Sequence, residues 1–466
     1  MTRSGVPATN DGSATQLDTK DIRQRVLRLA WPVIGENLLE TTLFVVDTLL
    51  VARLGADAIA GVGSAMQILF FLISILSALA IGSSVLVAQA IGGGNLPQAN
   101  SLARQSLVWS VLLSVPLAAC GLLFSRPIID VFGLTPEVAR IALAYMHVTM
   151  GTVIVLVGLI IGGGVLRGAG DSRTPMLVTA FANVINVGLA YGLIYGHFGL
   201  PALGAVGSAW ATFIARGLAL LLLLALLWRG RNGVTIKGMG GWLPDLKIAR
   251  QVLQLGVPAA LEQVLTSAGF LVLGIIVAHL GTTMLAAFRL AFTALSFAFL
   301  PGFGFGIAAT ALVGQSVGAR RMREGVVATH IATAWAVAWM SVGAVLSLLF
   351  APQLIAVFSS DSSVQQAGTG ALRMVALSMP FWAVLFVQSG GLRGAGNTRF
   401  PLLVSGSGIW ASVGIAALLI ATVGGGLISI WAAFVLVSPF TATLMWRQFH
   451  RTAAKIIDSE ANGAPA

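Results

Sequence analysis

The chain has 466 residues, of which 57% are hydrophobic and only 9% charged, against about 25% charged in soluble domains; that balance excludes an ordinary soluble protein and calls for many membrane spans. The single Cys120 excludes an intramolecular disulfide and a cysteine-based metal centre. The net charge of +11 is carried by Lys and Arg dispersed over loops rather than gathered on one amphipathic element, so it reads as membrane topology and not as a nucleic-acid surface.

Residues 1–21 are polar and unpatterned, a disordered tail without the short apolar run and cleavage site of a signal peptide. Twelve apolar runs follow, at 29–50, 62–90, 105–124, 140–164, 176–197, 203–228, 255–279, 286–312, 327–350, 370–390, 401–422 and 425–446. Each reaches the length of about 20 residues that crosses a bilayer as a helix, and their frequent Gly and Pro suit membrane helices. Residues 22–228 form a first lobe, 229–250 a basic cytoplasmic linker, 251–446 a second lobe, and 447–466 a cytoplasmic tail. Arg23, Arg25 and Arg28 fall on the same side as Arg104, Arg167, Arg173, Arg229, Arg320, Arg393, Arg399 and Arg447, whereas the other side keeps Arg53, Arg126, Arg140 and Arg373. Positive residues stay inside during insertion, which predicts cytoplasmic termini in the plasma (inner) membrane.

The two lobes repeat each other in one constant register. "VLRGAGDSRTP" (165–175) returns as "GLRGAGNTRFP" (391–401), "VAQAIG" (87–92) as "VGQSVG" (313–318), Pro32 as Pro258 and Glu36 as Glu262. Six spans per copy put both copies in the membrane the same way up. The expected fold is therefore all-α, with twelve transmembrane helices in two parallel six-helix lobes, a pattern of transporters that bind substrate between two halves. Gly168, Gly170, Gly394 and Gly396 are expected to make tight cytoplasmic turns.

Only four of the sixteen acidic residues fall inside the spans: Glu36, Glu40, Asp47 and Glu262. At about 100° per residue, Glu40 and Asp47 lie about 40° and 20° from Glu36, so the three form one stripe about 16 Å long. A charge facing lipid costs about 2.5 kcal/mol or more, so the stripe faces other helices or a water-filled cavity, and intramembrane acids are functional by default. The alternative is a structural role near the helix ends. Arg216 and Arg289 are the in-span cations that could pair with the glutamates, and Glu262 takes the place of Glu36 in the second lobe. Asn183 and Asn186 in the fifth run and Thr212 in the sixth add polar groups, either to that cavity or to cross-helix bonding. His147 reads as hydrogen-bonded core. Met66, Met146, Met150 and Met379, with Phe70, Phe71, Phe181, Phe381 and Trp382, suit either an adaptable apolar pocket or plain packing. No phosphate loop, metal-spaced histidine pair or nucleophile motif stands in the right context, and no ATP-binding module is present, so energy would come from an ion gradient.

Taken together, "WPVIGENLLETTLFVVDTLLVARLG", the "VAQAIG"/"VGQSVG" pair and the twice-used "LRGAG…R…P" loop resemble the MATE (multidrug and toxic compound extrusion) family over residues 22–447, and the DinF-like branch most of all. The resemblance implies a secondary active antiporter, not an enzyme, that exports amphipathic, cationic organic compounds (drugs and other xenobiotics) by rocking of the two lobes in exchange for H+ or Na+. No cofactor is expected, and because one chain contains both lobes, a monomer is the expected working unit. It assigns coupling to Asp47 and groups Asn186 and Thr212 with it, a set whose oxygens suit sodium. The branch's helix-five aspartate is replaced by Ala190, and the glutamate of other branches by Thr266. Glu36, Glu40, Asn183 and Glu262 are this chain's own candidates for the same cavity. A flippase for lipid-linked saccharides is the alternative transporter, and an intramembrane enzyme the remote one.

Overall fold

The computed structural model describes residues 19–238, 240–424 and 426–462, so most of the expected N-terminal tail and the last four residues lie outside the described residues. The described residues fold into fifteen helices. The first lobe holds α1 (Thr19–Ala52), α2 (Ala56–Gly92), α3 (Leu96–Leu123), the short α4 (Ser125–Asp130), α5 (Pro136–Gly151), α6 (Val153–Gly168), α7 (Arg173–Tyr195) and α8 (Ala205–Arg229). The second holds α9 (Leu246–His279), α10 (Thr282–Gly318), α11 (Met322–Ala356), α12 (Ser362–Ala376), α13 (Met379–Gly394), α14 (Arg399–Val423) and α15 (Gly426–Ala461).

Nine helices among the described residues are long and apolar enough to span a membrane, and two bent pairs bring the number to eleven. The twelfth expected span is α1, whose apolar run is interrupted by the three acids. The fourth and tenth runs, expected as continuous, are each broken: α5 meets α6 at 52° and α12 meets α13 at 50°. The hinge falls at Thr152, whose hydroxyl bonds back to the Val148 carbonyl at 2.7 Å, and at Leu377-Ser378 just ahead of Pro380. Apolar periodicity is blind to such a break because both halves stay apolar.

Chain ends also differ from the expected limits. Residues 19–21 already belong to α1, and α15 continues past residue 446 to Ala461. Its last turns dock on the start of α11, where Glu460 accepts from the Met322 amide at 3.1 Å. The linker is fastened to the first lobe. Gln105 donates to the carbonyls of Gly241 and Leu243 at 2.8 and 2.6 Å and accepts from the Asp245 amide, while Arg104 donates to the Lys237 carbonyl at 2.7 Å. Asp245 then caps α9 through the Lys247 amide.

The lobes meet toward the end that carries the arginine-rich loops, the basic end. Ile22, Val26, Ala30 and Ile34 of α1 belong to the apolar core of the second lobe, whereas Val51, near the other end of α1, belongs to that of the first. Reciprocally, α9 brings the Val252 carbonyl against Gly82 of α2. Where α2 crosses α10, a Cβ on Gly92 would run into the Gln315 carbonyl and one on Gly318 into that of Gln89, so only glycine permits this approach. Gly170 and Gly396 do make the expected turns, at φ +83° and +84°. Gly168 and Gly394 do not: they end α6 and α13 against the backbone of Ser84 and Thr310, which leaves no room for a side chain.

Candidate functional site

Of the three acids expected on one inward stripe of α1, Asp47 is buried, Glu36 is partly buried and Glu40 is exposed. Asp47 is 6% exposed, and Ser208 of α8 donates to its carboxylate, with Oγ 2.7 Å from both oxygens. Tyr145 of α5 is buried beside Ser208, close enough to sense the Asp47 charge. One turn along α8, Thr212 accepts from the Asn186 amide of α7 at 3.0 Å. Asn183, one turn earlier on α7, donates to the Leu39 carbonyl at 2.7 Å, and Tyr195 donates to that of Leu50 at 2.6 Å. These two bonds fix the α1–α7 register and so aim Asp47 at α8.

Arg216 lies two turns beyond Ser208 on α8, and its charge reaches both Asp47 and Glu40. Glu40, one turn beyond Glu36 on α1, has an exposed side chain. It makes no hydrogen bond or ion pair among the described residues. Glu36 is differently employed: Arg167 of α6 meets its carboxylate at 3.0 Å, with both side chains less than one fifth exposed. The same pair recurs in the second lobe, where Arg393 of α13 meets Glu262 at 2.8 Å.

These pairs correct the expected partnering. The sequence offers Arg216 and Arg289 as the in-span candidates and leaves Arg167 and Arg393 to the loops. Both latter residues sit in the last turn of a helix and turn back into the bundle. Glu262 therefore joins its own lobe's ion pair and not the Asp47 cluster; its carbonyl accepts from Thr266 at 2.8 Å. Sequence reasoning missed Arg167, Arg393, Ser208 and Tyr145 as members. The signal for the arginines was present, because Glu36/Glu262 and Arg167/Arg393 keep the same repeat register. Ser208 stands one helical turn before Thr212. Nothing in the pattern of the fourth run singles out Tyr145.

The remaining candidates scatter. Met146, Met150 and Met379 are packed core, Trp382 is 9% exposed, and Phe70 and Phe71 are about half exposed, so these side chains do not share one environment. His147 is hydrogen bonded as expected, to Ser125 Oγ at 2.9 Å, but it is exposed rather than core. An apolar cavity of about 680 Å³ between α3, α6 and α8, lined by Val111, Leu220, Trp228 and Trp242, contains no acid. Among the described residues no three His, Cys, Asp or Glu side chains gather as a metal centre. The donor set around Asp47 is a carboxylate with hydroxyl and amide groups. It can hold a proton, an organic cation or a hard inorganic cation.

A family model described as MatE matches this chain twice, over residues 32–192 and 258–418, and the second match begins at the repeat partner of the first, Pro258 against Pro32. The probable multidrug resistance protein NorM of Thermotoga maritima is 30% identical over 432 residues, covering 92% of each chain. The probable multidrug resistance protein YoeA of Bacillus subtilis is 28% identical over 390 residues, 81% of this chain and 82% of that one. A solved structure of the outward-facing conformation of a multidrug resistance MATE family transporter of the MOP superfamily superposes with a TM-score of 0.87 at 23% identity, over 93% of this chain and 96% of that chain.

Proposed function

The chain belongs to the MatE family, and on that premise we propose that it exports amphipathic, cationic organic compounds across the plasma membrane in exchange for protons. The observation that carries this reading is Asp47, a carboxylate enclosed between α1 and α8 with one hydroxyl as its bonded partner. An enclosed carboxylate attracts a cation strongly because little water competes for it. A cationic cargo and a proton cannot both be held there. Protonation removes the charge and with it the grip on the cargo; loss of the proton restores it. Such exchange drives transport only where the two ligands prefer different lobe arrangements, and α1 can register that difference because it packs in both lobes. The concentration of arginines at the end bearing both termini supports a cytoplasmic basic end, and one chain with both lobes supports a working monomer. The names of the relatives support a broad cargo range.

Sodium is the second reading for the coupling ion, favoured by the Ser208, Thr212 and Asn186 groups close to the carboxylate. Reconstituted vesicles loaded with a panel of cationic dyes separate the two. A proton gradient imposed at constant sodium is expected to drive efflux, and a sodium gradient imposed at constant pH is not. Efflux driven by neither gradient would sink the antiport reading.

A further inference from the structure

Each lobe carries the same three-part device at the basic end. In the first lobe Arg167 is held by Glu36, and the next residue, Gly168, gives its carbonyl to Gln315 Nε2 of the second lobe at 3.0 Å. In the second lobe Arg393 is held by Glu262, and the carbonyl of Gly394 accepts from Gln89 Nε2 of the first lobe at 3.2 Å. Every member has its counterpart in the repeat register (Glu36 and Glu262, Arg167 and Arg393, Gly168 and Gly394, Gln89 and Gln315). The two glutamines also sit where α2 and α10 come closest, against Gly318 and Gly92. The carbonyls they hold belong to the last turns of α6 and α13, where backbone acceptors have no partner within their own helix. A side-chain amide from the opposite lobe supplies that partner and joins the lobes by doing so.

We infer that Gln89 and Gln315 are positioning residues that hold the lobes together at the basic end, each on a carbonyl that the other lobe's glutamate–arginine pair presents. The device works crosswise: Glu36 governs the Gln315 bond and Glu262 governs the Gln89 bond. The two are equal in geometry and unequal in connection. Glu36 continues into the stripe of Glu40 and Asp47, so a cation drawn to that stripe competes with Arg167 for the Glu36 carboxylate and loosens the first bond. Glu262 has no acidic neighbour on its helix, so its bond stays closed through the same event. A cavity of about 320 Å³ lined by Gln89, Asn95, Gln98 and Gln251 adjoins the crossing and offers a polar space into which a freed amide can turn. The inference rests on the two-lobe exporter reading and adds to it the residues that keep one side shut.

The test is a distance measurement that needs no transport. Spin labels at Arg173→Cys and Arg399→Cys, two exposed twins on opposite lobes, are introduced with Cys120→Ser, and pulsed electron resonance reads the ratio of long to short distances in the full-length protein. Loss of one net hydrogen bond is expected to raise that ratio about fivefold, so Gln89→Leu and Gln315→Leu each give about fivefold and together about twenty-five-fold. The pairing supplies the stricter test. Glu36→Gln combined with Gln315→Leu stays near fivefold because both act on one bond, whereas Glu36→Gln with Gln89→Leu multiplies to about twenty-five-fold. Glu262→Gln shows the opposite preference. Gln89→Asn and Gln315→Asn, too short to span the same gaps, serve where the leucine variants do not purify. An unchanged ratio in the double glutamine variant, or a Glu36→Gln effect that multiplies equally with both glutamines, overturns the inference. If the ratio moves as expected while vesicles export nothing, the exporter reading fails and the latch stands.

Discussion

The two lobes are one structural idea used twice, and their difference lies in what fills the middle. Both begin with a proline-containing helix that ties a glutamate to an arginine, and both end α6 or α13 on a glycine pressed against the second helix of the lobe. Yet in the repeat register Asp47 is answered by Leu273, Glu40 by Thr266, Tyr145 by Ala371 and Asn186 by Ser412. Leu273 is fully buried, and behind it Phe270 stacks on Phe434, which meets Trp431 at 5.3 Å and Trp382 at 5.9 Å. The first lobe keeps two carboxylates and an amide where the second keeps hydroxyls and aliphatic side chains, beside an aromatic cluster. The glutamate–arginine pairs and the close-packed glycines match between the lobes. On the proposed function, the cation chemistry needs only one copy of the buried carboxylate.

Exchanging residues across the register breaks this comparison most severely. Leu273→Asp places an unpaired carboxylate in an apolar cluster, and membrane accumulation is expected to fall below detection, while Asp47→Leu accumulates normally and exports nothing; immunoblots and dye efflux read the two outcomes. Removing the arginines tests what is shared. Arg167→Ala and Arg393→Ala each strand a largely buried carboxylate, so both should lose about 3 kcal/mol of stability in thermal unfolding, by similar amounts. A large inequality would mean that the two ion pairs are not equivalent scaffold. Ser208→Ala sharpens the difference: Asp47 loses its hydroxyl donor, and the cation concentration for half-maximal efflux should rise about tenfold, an effect with no counterpart in the second lobe, where the register puts Phe434 opposite Ser208. Thr212→Val is the mildest, with about a threefold loss of sodium-driven efflux if sodium is used at all, and none of proton-driven efflux.

Much of this was legible in the sequence. Apolar run length marks the spans, loop charge gives the basic end, and the constant internal register shows two lobes. The angular arithmetic puts Glu36, Glu40 and Asp47 on one stripe, of which Asp47 is buried and Glu40 exposed. What escapes are features that need a second helix to be seen. Arg167 reads as a loop residue because it closes an apolar run, and only the rotation of α6 against α1 turns it inward. Gly168 reads as a turn, although the closeness of α2 is what demands it. The breaks at Thr152 and Ser378 leave no mark on apolar content. Ser208 and Tyr145 are ordinary residues until α1, α5 and α8 meet.

The central claim is that Asp47 is the group at which cation and cargo exchange. It is tested most directly by gradient-driven efflux of a cationic dye from vesicles containing equal amounts of wild-type and Asp47→Asn protein. Asparagine preserves size and can still accept from Ser208 but carries no charge, so efflux is predicted to fall at least tenfold with the fold intact. Wild-type efflux from Asp47→Asn under the same gradient would contradict the account.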